Sequence, residues 1–269
     1  MTEKIYLKCS AKEKIFANGG SVMNVGIKAE DLTQFIKALL RSWGIKVERY
    51  DLSSSHDLRL VKMLAANSID LVIDVGASRG EYARTLQSHG YNGRILSFEP
   101  LRSAHAALVE HCRGNRSWQA ADRMALGDTN GTVVMNIAAN STSSSVLDML
   151  DRHRMAAPTS AYIATEEADV RRLDGIDHPF ISEAAAPFLK IDTQGYESHV
   201  LAGAAGYLGR IRGLQMELSL QPLYEGQVLW PEMIAQAETK GYRLWALVPG
   251  FFDPATGRLL QCDGVFFRQ

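Results

Sequence analysis

Asp74, Gly76 and Gly80 are the first residues able to do chemistry. They lie in Leu71-Val72-Ile73-Asp74-Val75-Gly76-Ala77-Ser78-Arg79-Gly80-Glu81-Tyr82, an apolar run that ends in an acid and passes into a glycine turn. That order describes a buried strand, a tight loop and a helix N-terminus, the place where an open α/β sheet holds a ligand. Gly76-x-x-x-Gly80 lacks the middle glycine of G-x-G-x-x-G, the position where a backbone must approach a pyrophosphate. Ala77 and Ser78 bring side chains there instead. A ligand without a pyrophosphate fits better, and S-adenosylmethionine is the common one. Gly76 would let the backbone approach its amino-acid part, and Asp74 would take its ammonium directly or through water. Glu99 ends the next apolar run, 25 residues after Asp74. A carboxylate there can hold both ribose hydroxyls. The apolar pair Ala125-Leu126 can flank an adenine ring, with Asp122 as an alternative contact to its amino group.

A second set of residues offers reaction chemistry. In Phe188-Leu189-Lys190-Ile191-Asp192, Lys190 and Asp192 alternate with apolar neighbours and so share one strand face. A charged pair inside a core strand is costly unless partnered. Either the two form a structural ion pair, or Asp192, at the carboxyl end of its strand, serves as base, substrate anchor or metal ligand. Glu217 ends the following apolar run and meets Asp192 if the two strands are neighbours. Two carboxylates so placed could orient a hydroxyl or bind a metal. A solvated strand end is the plainer reading of Glu217. His199 follows on a helix and could be a base, although a lone helical histidine more often packs or faces solvent. His105 and His153 have weaker claims. The polar loop Ser143-Ser144-Ser145 could touch substrate, and a plain linker is the simpler expectation for it.

The elements that would position these residues alternate. Strands are expected at 71–75, 94–99, 118–126 (irregular), 132–137, 188–192, 211–218, 242–248 and 264–267. Helices are expected at about 80–89, 101–112, 195–201 and 231–240, and an added strand at 167–173. Repeated strand–helix units make a mostly parallel, doubly wound sheet. The last two strands have no helix pattern between them and suit an antiparallel edge hairpin. Residues 148–165 carry no clear pattern. Ahead of all this, Leu32, Phe35, Ile36, Leu39, Leu40 and Trp43 follow helical spacing with Gly44 to end the helix, and a short helix covers 58–64. Ile5-Tyr6-Leu7 could be a strand and Asn18-Gly19-Gly20-Ser21 a turn.

Composition bounds the partners. The 269 residues are 46% hydrophobic and 22% charged with a formal net charge of −1, so no global field recruits nucleic acid or an anionic membrane. Cys9, Cys112 and Cys262 are an odd, widely spaced set without a CxxC pair, which suits a reducing cytoplasm and offers no zinc site. No apolar run is long enough to span a bilayer.

Taken in order, Ile73 to Tyr82, Ser97-Phe98-Glu99-Pro100, Met124-Ala125-Leu126-Gly127-Asp128 and Leu189 to Glu197 resemble the FkbM family of S-adenosylmethionine-dependent methyltransferases. Leu223-Tyr224-Glu225-Gly226 and the terminal Asp263-Gly264-Val265-Phe266 fit as well. The resemblance covers about 58–269, and the family's usual asparagine is Ser78 here. It implies a class I, Rossmann-like α/β fold with a seven-stranded, mostly parallel sheet and an antiparallel C-terminal hairpin. It also implies O-methylation, often of sugar hydroxyls on glycolipids, polysaccharides or natural products, with S-adenosylhomocysteine as the product. The donor site expected from residues and resemblance together is Asp74, Gly76, Ala77, Gly80, Tyr82, Glu99, Pro100, Asp122, Ala125 and Leu126. The expected catalytic group is Asp192 with Glu217 or His199, and no metal is expected. Residues 1–57 read as an extension, a cover or a homodimer surface, ahead of a catalytic domain at 58–269. Rival readings are a metal-dependent small-molecule O-methyltransferase, a catalytically silent cofactor-binding scaffold and, more weakly, an NAD-dependent oxidoreductase.

Overall fold

A computed structural model describes residues 29–268. The expected strand at Ile5-Tyr6-Leu7, the turn at Asn18 to Ser21 and Cys9 lie outside the described residues. Helix α1 (Ala29–Ser42) belongs to a compact unit that ends at Arg49, and a second unit begins at Tyr50. The second unit opens with α2 (His56–Ala66), which Ser55 caps by accepting a hydrogen bond from the Leu58 N–H at 3.2 Å.

The main sheet has seven strands, β1 (Leu71–Val75), β2 (Arg94–Phe98), β3 (Trp118–Ala120), β7 (Pro187–Ile191), β8 (Gly213–Ser219), β9 (Tyr242–Pro249) and β10 (Gln261–Arg268). Their order is β3-β2-β1-β7-β8-β10-β9, with β10 antiparallel to both β8 and β9 and the other pairs parallel. The expected doubly wound sheet with an antiparallel C-terminal hairpin is therefore present. Helices α3 (Glu81–Ser88), α4 (Arg102–Cys112), α7 (Glu197–Gly203) and α8 (Trp230–Thr239) are the crossovers after β1, β2, β7 and β8, and α6 (Pro179–Glu183) precedes β7. Every residue of β1 and β7 is buried, as parallel strands covered on both faces require.

The segment 118–126 departs from the single irregular strand expected. It breaks into β3 and β4 (Ala125–Leu126), which lie in different sheets. The chain leaves the main sheet after Ala121, whose N–H still donates to the Ser97 carbonyl at 2.9 Å. Strand β4 joins β5 (Gly131–Ala138) and β6 (Tyr162–Arg171) in a three-stranded sheet of order β4-β6-β5. Met135 and Ala168 of this small sheet pack on Leu101 and Ala104 at the start of α4. The unpatterned stretch 148–165 contains α5 (Asp151–Ala156), a 3₁₀ turn at Pro158–Ser160 and the beginning of β6. Six helical residues are too few to show a 3.6-residue period. Among the described residues no helix is long and apolar enough to cross a membrane.

Candidate active site

Polar residues at alternate positions of five apolar strands lie along and beneath the floor of a cleft. Along one row of the sheet, Ser97, Asp74, Lys190 and Gln215 are successive cross-strand partners from β2 to β8. One step toward the strand ends, Glu217 on β8 faces Asp263 on β10, and Ser219 faces Gln261 beyond them. Because side chains on a strand alternate between faces, such rows present their polar groups together. The cleft above them has a volume of about 530 Å³.

Asp74 is fully buried beneath the glycine turn and does not line the cleft. Its Oδ1 lies 3.1 Å from Lys190 Nζ, and its Oδ2 accepts from the Ser97 hydroxyl at 3.3 Å. Trp118 Nε1 donates in turn to Ser97 Oγ at 3.0 Å, so β3, β2, β1 and β7 share one buried polar chain. Burial pushes the Asp74 carboxyl up against the pull of Lys190. Burial alone would lower Lys190, but Asp74 and Asp192 together outweigh it and hold the amine above its ordinary range. Lys190 Nζ also lies 3.5 Å from Asp192 Oδ2, donates to the Gly76 carbonyl at 3.4 Å and sits 5.1 Å from the centre of the Tyr82 ring. The Lys190–Asp192 ion pair, one of the two alternatives read from the sequence, is one arm of this triad.

Gly76 has φ +77°, and a Cβ there would stand 1.9 Å from the Asp192 carbonyl oxygen. The protein itself therefore requires glycine here, because the β1 and β7 loops touch at this point. The Gly76 and Ala77 N–H groups both donate to the Phe98 carbonyl, at 3.1 and 3.0 Å. Gly80 (φ +83°) is held against the Trp118 ring, outside the cleft lining. Glu99 follows β2, 5% exposed, and accepts from the Ser78 N–H at 2.8 Å and the Leu101 N–H at 2.9 Å. Burial raises its carboxyl to about 7. Each carboxylate oxygen keeps a further lone pair, so Glu99 can still accept hydroxyl donors from the cleft. Pro100, Leu101, Met124, Ala125 and Leu126 form an apolar wall beside it, and Ala77 and Tyr82 line the opposite part. Asp122 is exposed and outside the lining. A nucleoside with an amino-acid arm fits this set: an acid for the ribose, an apolar wall for the base and a backbone turn for the arm.

At the other end, Asp192 and Glu217 are brought together as expected if β7 and β8 are neighbours. The Gln194 amide donates to Asp192 Oδ1 at 2.9 Å and to Glu217 Oε2 at 3.0 Å. Gln261 adds a second N–H to Glu217 Oε2 at 2.7 Å. Gln194 adopts φ +56°, a left-handed conformation that non-glycine residues rarely take. Its own carbonyl accepts from the Ser145 hydroxyl at 2.7 Å, and its amide oxygen from the Tyr224 hydroxyl at 2.8 Å. Burial, with Asp192, Glu197 and Asp263 nearby, pushes Glu217 well above the carboxylate range. Burial and Asp192 raise Asp263 to about 6. Glu197 accepts from the Thr193 and Gly195 N–H groups at 2.9 and 3.1 Å and holds the turn that carries Gln194.

His199 stacks on Tyr196, with ring centres 4.1 Å apart, and is not part of the lining. His153 is, with only 3% of its surface exposed. The loop 140–144 lines the cleft rather than serving as a plain linker, tied internally by bonds such as Ser143 N–H to Asn140 Oδ1 at 3.1 Å. Gln194, Gln215, Gln261 and Asp263 were not singled out as site residues by sequence, and His153 carried only a weak claim. The signal for three of them is the alternation of polar residues in the otherwise apolar runs Gly213 to Ser219 and Gln261 to Phe267. Among the described residues, no group of three His, Cys, Asp or Glu side chains is arranged to hold a metal ion.

Residues 74–244 match the profile of the methyltransferase FkbM domain. No curated protein matches the chain. Among solved structures, the chain is similar to magnesium protoporphyrin IX methyltransferase from Synechocystis PCC 6803 with bound S-adenosylmethionine, at 10% identity and a TM-score of 0.44, covering 94% of this chain and 100% of that one. It is also similar to Burkholderia thailandensis 1,6-didemethyltoxoflavin-N1-methyltransferase, at 11% identity and a TM-score of 0.41, covering 95% of this chain and 93% of that one.

Proposed function

The chain belongs to the FkbM methyltransferase family, and from that premise we propose that it methylates a hydroxyl of a sugar-like acceptor on a glycolipid, polysaccharide or glycosylated natural product. Its fold is that of class I S-adenosylmethionine-dependent methyltransferases, and S-adenosylmethionine is its methyl donor. The donor supplies an electrophilic methyl group and leaves as S-adenosylhomocysteine. In the proposed arrangement Glu99 takes the ribose hydroxyls, Leu101, Met124 and Leu126 flank the adenine, and the Gly76–Ser78 turn faces the amino-acid arm.

One observation carries the choice of a hydroxyl acceptor: the Gln194 amide, which holds Asp192 and Glu217 together at the far end of the cleft. O-methylation forms an O–C bond at a hydroxyl whose proton must leave. Glu217 is pushed up by burial and its acidic neighbours, and its Oε2 already accepts from Gln194 and Gln261. Asp192, 40% exposed at its side chain and 3.5 Å from Lys190, is the proposed recipient. Alignment of the acceptor and exclusion of water supply the remainder. The two described cysteines, Cys112 and Cys262, are free thiols, which agrees with a reducing cytoplasm as the proposed setting. The apolar stripe of α1 is the proposed surface for self-association.

The test is S-adenosylhomocysteine release in the presence of p-nitrophenyl glycosides, with mass spectrometry of the acceptor for a methyl gain. Asp192→Asn should lower kcat by about 100-fold or more with S-adenosylhomocysteine affinity kept, the size of a lost general base. Full turnover by that variant removes Asp192 from the role. Donor binding without turnover on any acceptor pool favours the silent scaffold. Activity lost to a strong chelator favours the metal-dependent reading.

A further inference from the structure

The acceptor end of the cleft is enclosed by a closed circuit of contacts drawn from loops far apart in the chain. His153, on α5, lies edge-on to Tyr224 with ring centres 5.1 Å apart. The Tyr224 hydroxyl donates to Gln194, Gln194 donates to Glu217, and Gln261 donates to the same Glu217 oxygen. The Gln261 N–H then donates to the Phe251 carbonyl at 3.2 Å, and the Phe251 ring returns to His153 at 5.2 Å between centres.

Two features of this circuit point to a ligand. His153 is 97% buried, yet its Nδ1 has no hydrogen-bond partner in the protein. A buried polar atom without a partner costs about 1–3 kcal/mol and calls for an explanation. The second feature is the direction of the other hydrogen bonds. Gln194 directs its amide N–H groups to Asp192 and Glu217, and Gln261 directs its own to Glu217 and Ser219. What remains toward the cleft is mostly acceptor oxygen, from Asp192, Glu217 and Asp263. Such a surface selects a ligand rich in donors, and three carboxyl groups disfavour an anion. Phe251 adds an apolar face beside them.

We propose that this circuit is the acceptor subsite, that it takes an uncharged ring bearing neighbouring hydroxyls with one face on Phe251, and that an acceptor hydroxyl gives His153 the hydrogen bond the protein does not. The inference rests on the sugar-hydroxyl reading above and adds the residues that hold the ring. His153 serves here as a binding group. Burial lowers its imidazole to about 4, so it is neutral at pH 7 and suits a hydroxyl partner.

The experiment uses the full chain, ¹⁵N-labelled at histidine and saturated with S-adenosylhomocysteine. It is titrated with p-nitrophenyl glycosides of several neutral sugars, and the ring nitrogens are followed by long-range ¹H–¹⁵N correlation. His153→Gln identifies the His153 signals. The expected result is a shift of the His153 nitrogens with those of His105 unmoved, since His105 already bonds the Ala121 carbonyl at 2.8 Å. In turnover, His153→Gln should raise the acceptor KM about tenfold or more with kcat little changed, the signature of a lost binding contact. S-adenosylhomocysteine affinity should stay the same. Glycoside turnover with His153 signals unmoved overturns the subsite and leaves the sugar reading standing. Normal S-adenosylhomocysteine binding with no glycoside bound overturns the sugar reading and this proposal with it. If His153→Gln fails to fold, the wild-type shifts, read against the resolved signals of the other histidines, still decide.

Discussion

Glu99 is both a structural brace and the proposed ribose acid, and the two roles pull its protonation in opposite directions. Its folded carboxyl lies at about 7, above an ordinary 4.5. Between those values the folded chain holds a proton that the unfolded chain releases. The contribution of Glu99 to the stability of the ligand-free protein therefore falls as pH rises from about 4.5 to about 7. Ribose hydroxyls donate to the ionised form, so donor affinity runs the other way. Calorimetry should show S-adenosylhomocysteine binding tighten by up to about tenfold per pH unit below pH 7 and level off above it. Glu99→Gln should remove that slope, and a flat wild-type profile would refute the assignment. Gln194 permits a second test at this scale. Gln194→Glu keeps the size and the acceptor for Tyr224 but exchanges two donated hydrogen bonds for a third carboxyl group beside Asp192 and Glu217. A loss of kcat of about 100-fold is expected. Glu217→Gln in the same chain should recover part of it by restoring a donor, with a coupling of about 0.5–3 kcal/mol. Strict additivity of the two changes would mean that the amide bridge does not organise the pair.

At the scale of elements, the Asp74–Lys190 contact joins the centres of β1 and β7, where both side chains are buried. Lys190→Met would leave a buried carboxyl without its counter-charge, at a cost of about 3–5 kcal/mol in denaturant unfolding. Asp74→Asn added to it should return much of that loss, because the uncompensated charge goes too. If the single variant unfolds like the wild type, Asp74 is already neutral in the fold. The same strands show why so much of the architecture was legible. Residues 71–75, 94–98 and 187–191 are unbroken or nearly unbroken apolar runs, the pattern of parallel strands buried on both faces. Acids at or just past their ends, Glu99 and Asp192, stood out against that background. Trp118 to Leu126 misled because its apolar residues serve two sheets, and nothing local records the departure after Ala121. The acceptor end was harder still. His153, Gln194, Tyr224 and Phe251 meet only because separate loops converge, and a side chain given its role by a distant neighbour leaves no periodic trace.

For the whole molecule, the question is where the catalytic body begins. The resemblance starts near residue 58, whereas the compact unit starts at Tyr50. The difference has a local cause. Ser55 caps α2, and Arg59 reaches back to donate to the Leu52 and Ser53 carbonyls at 2.9 and 3.2 Å. A chain shortened to begin at Tyr50 should keep the melting temperature and S-adenosylhomocysteine affinity of the methyltransferase body. One shortened to begin at Leu58 loses the Ser55 cap and the first two residues of α2, and should be less stable by about 1 kcal/mol or more. Equal stability of the two would move the boundary to 58 and make residues 50–57 a linker. The same pair of chains tests α1. If its apolar stripe joins two copies, light scattering should find a dimer for the full chain and a monomer for the chain beginning at Tyr50. Retention of the dimer in the shorter chain would place the contact on the catalytic body instead.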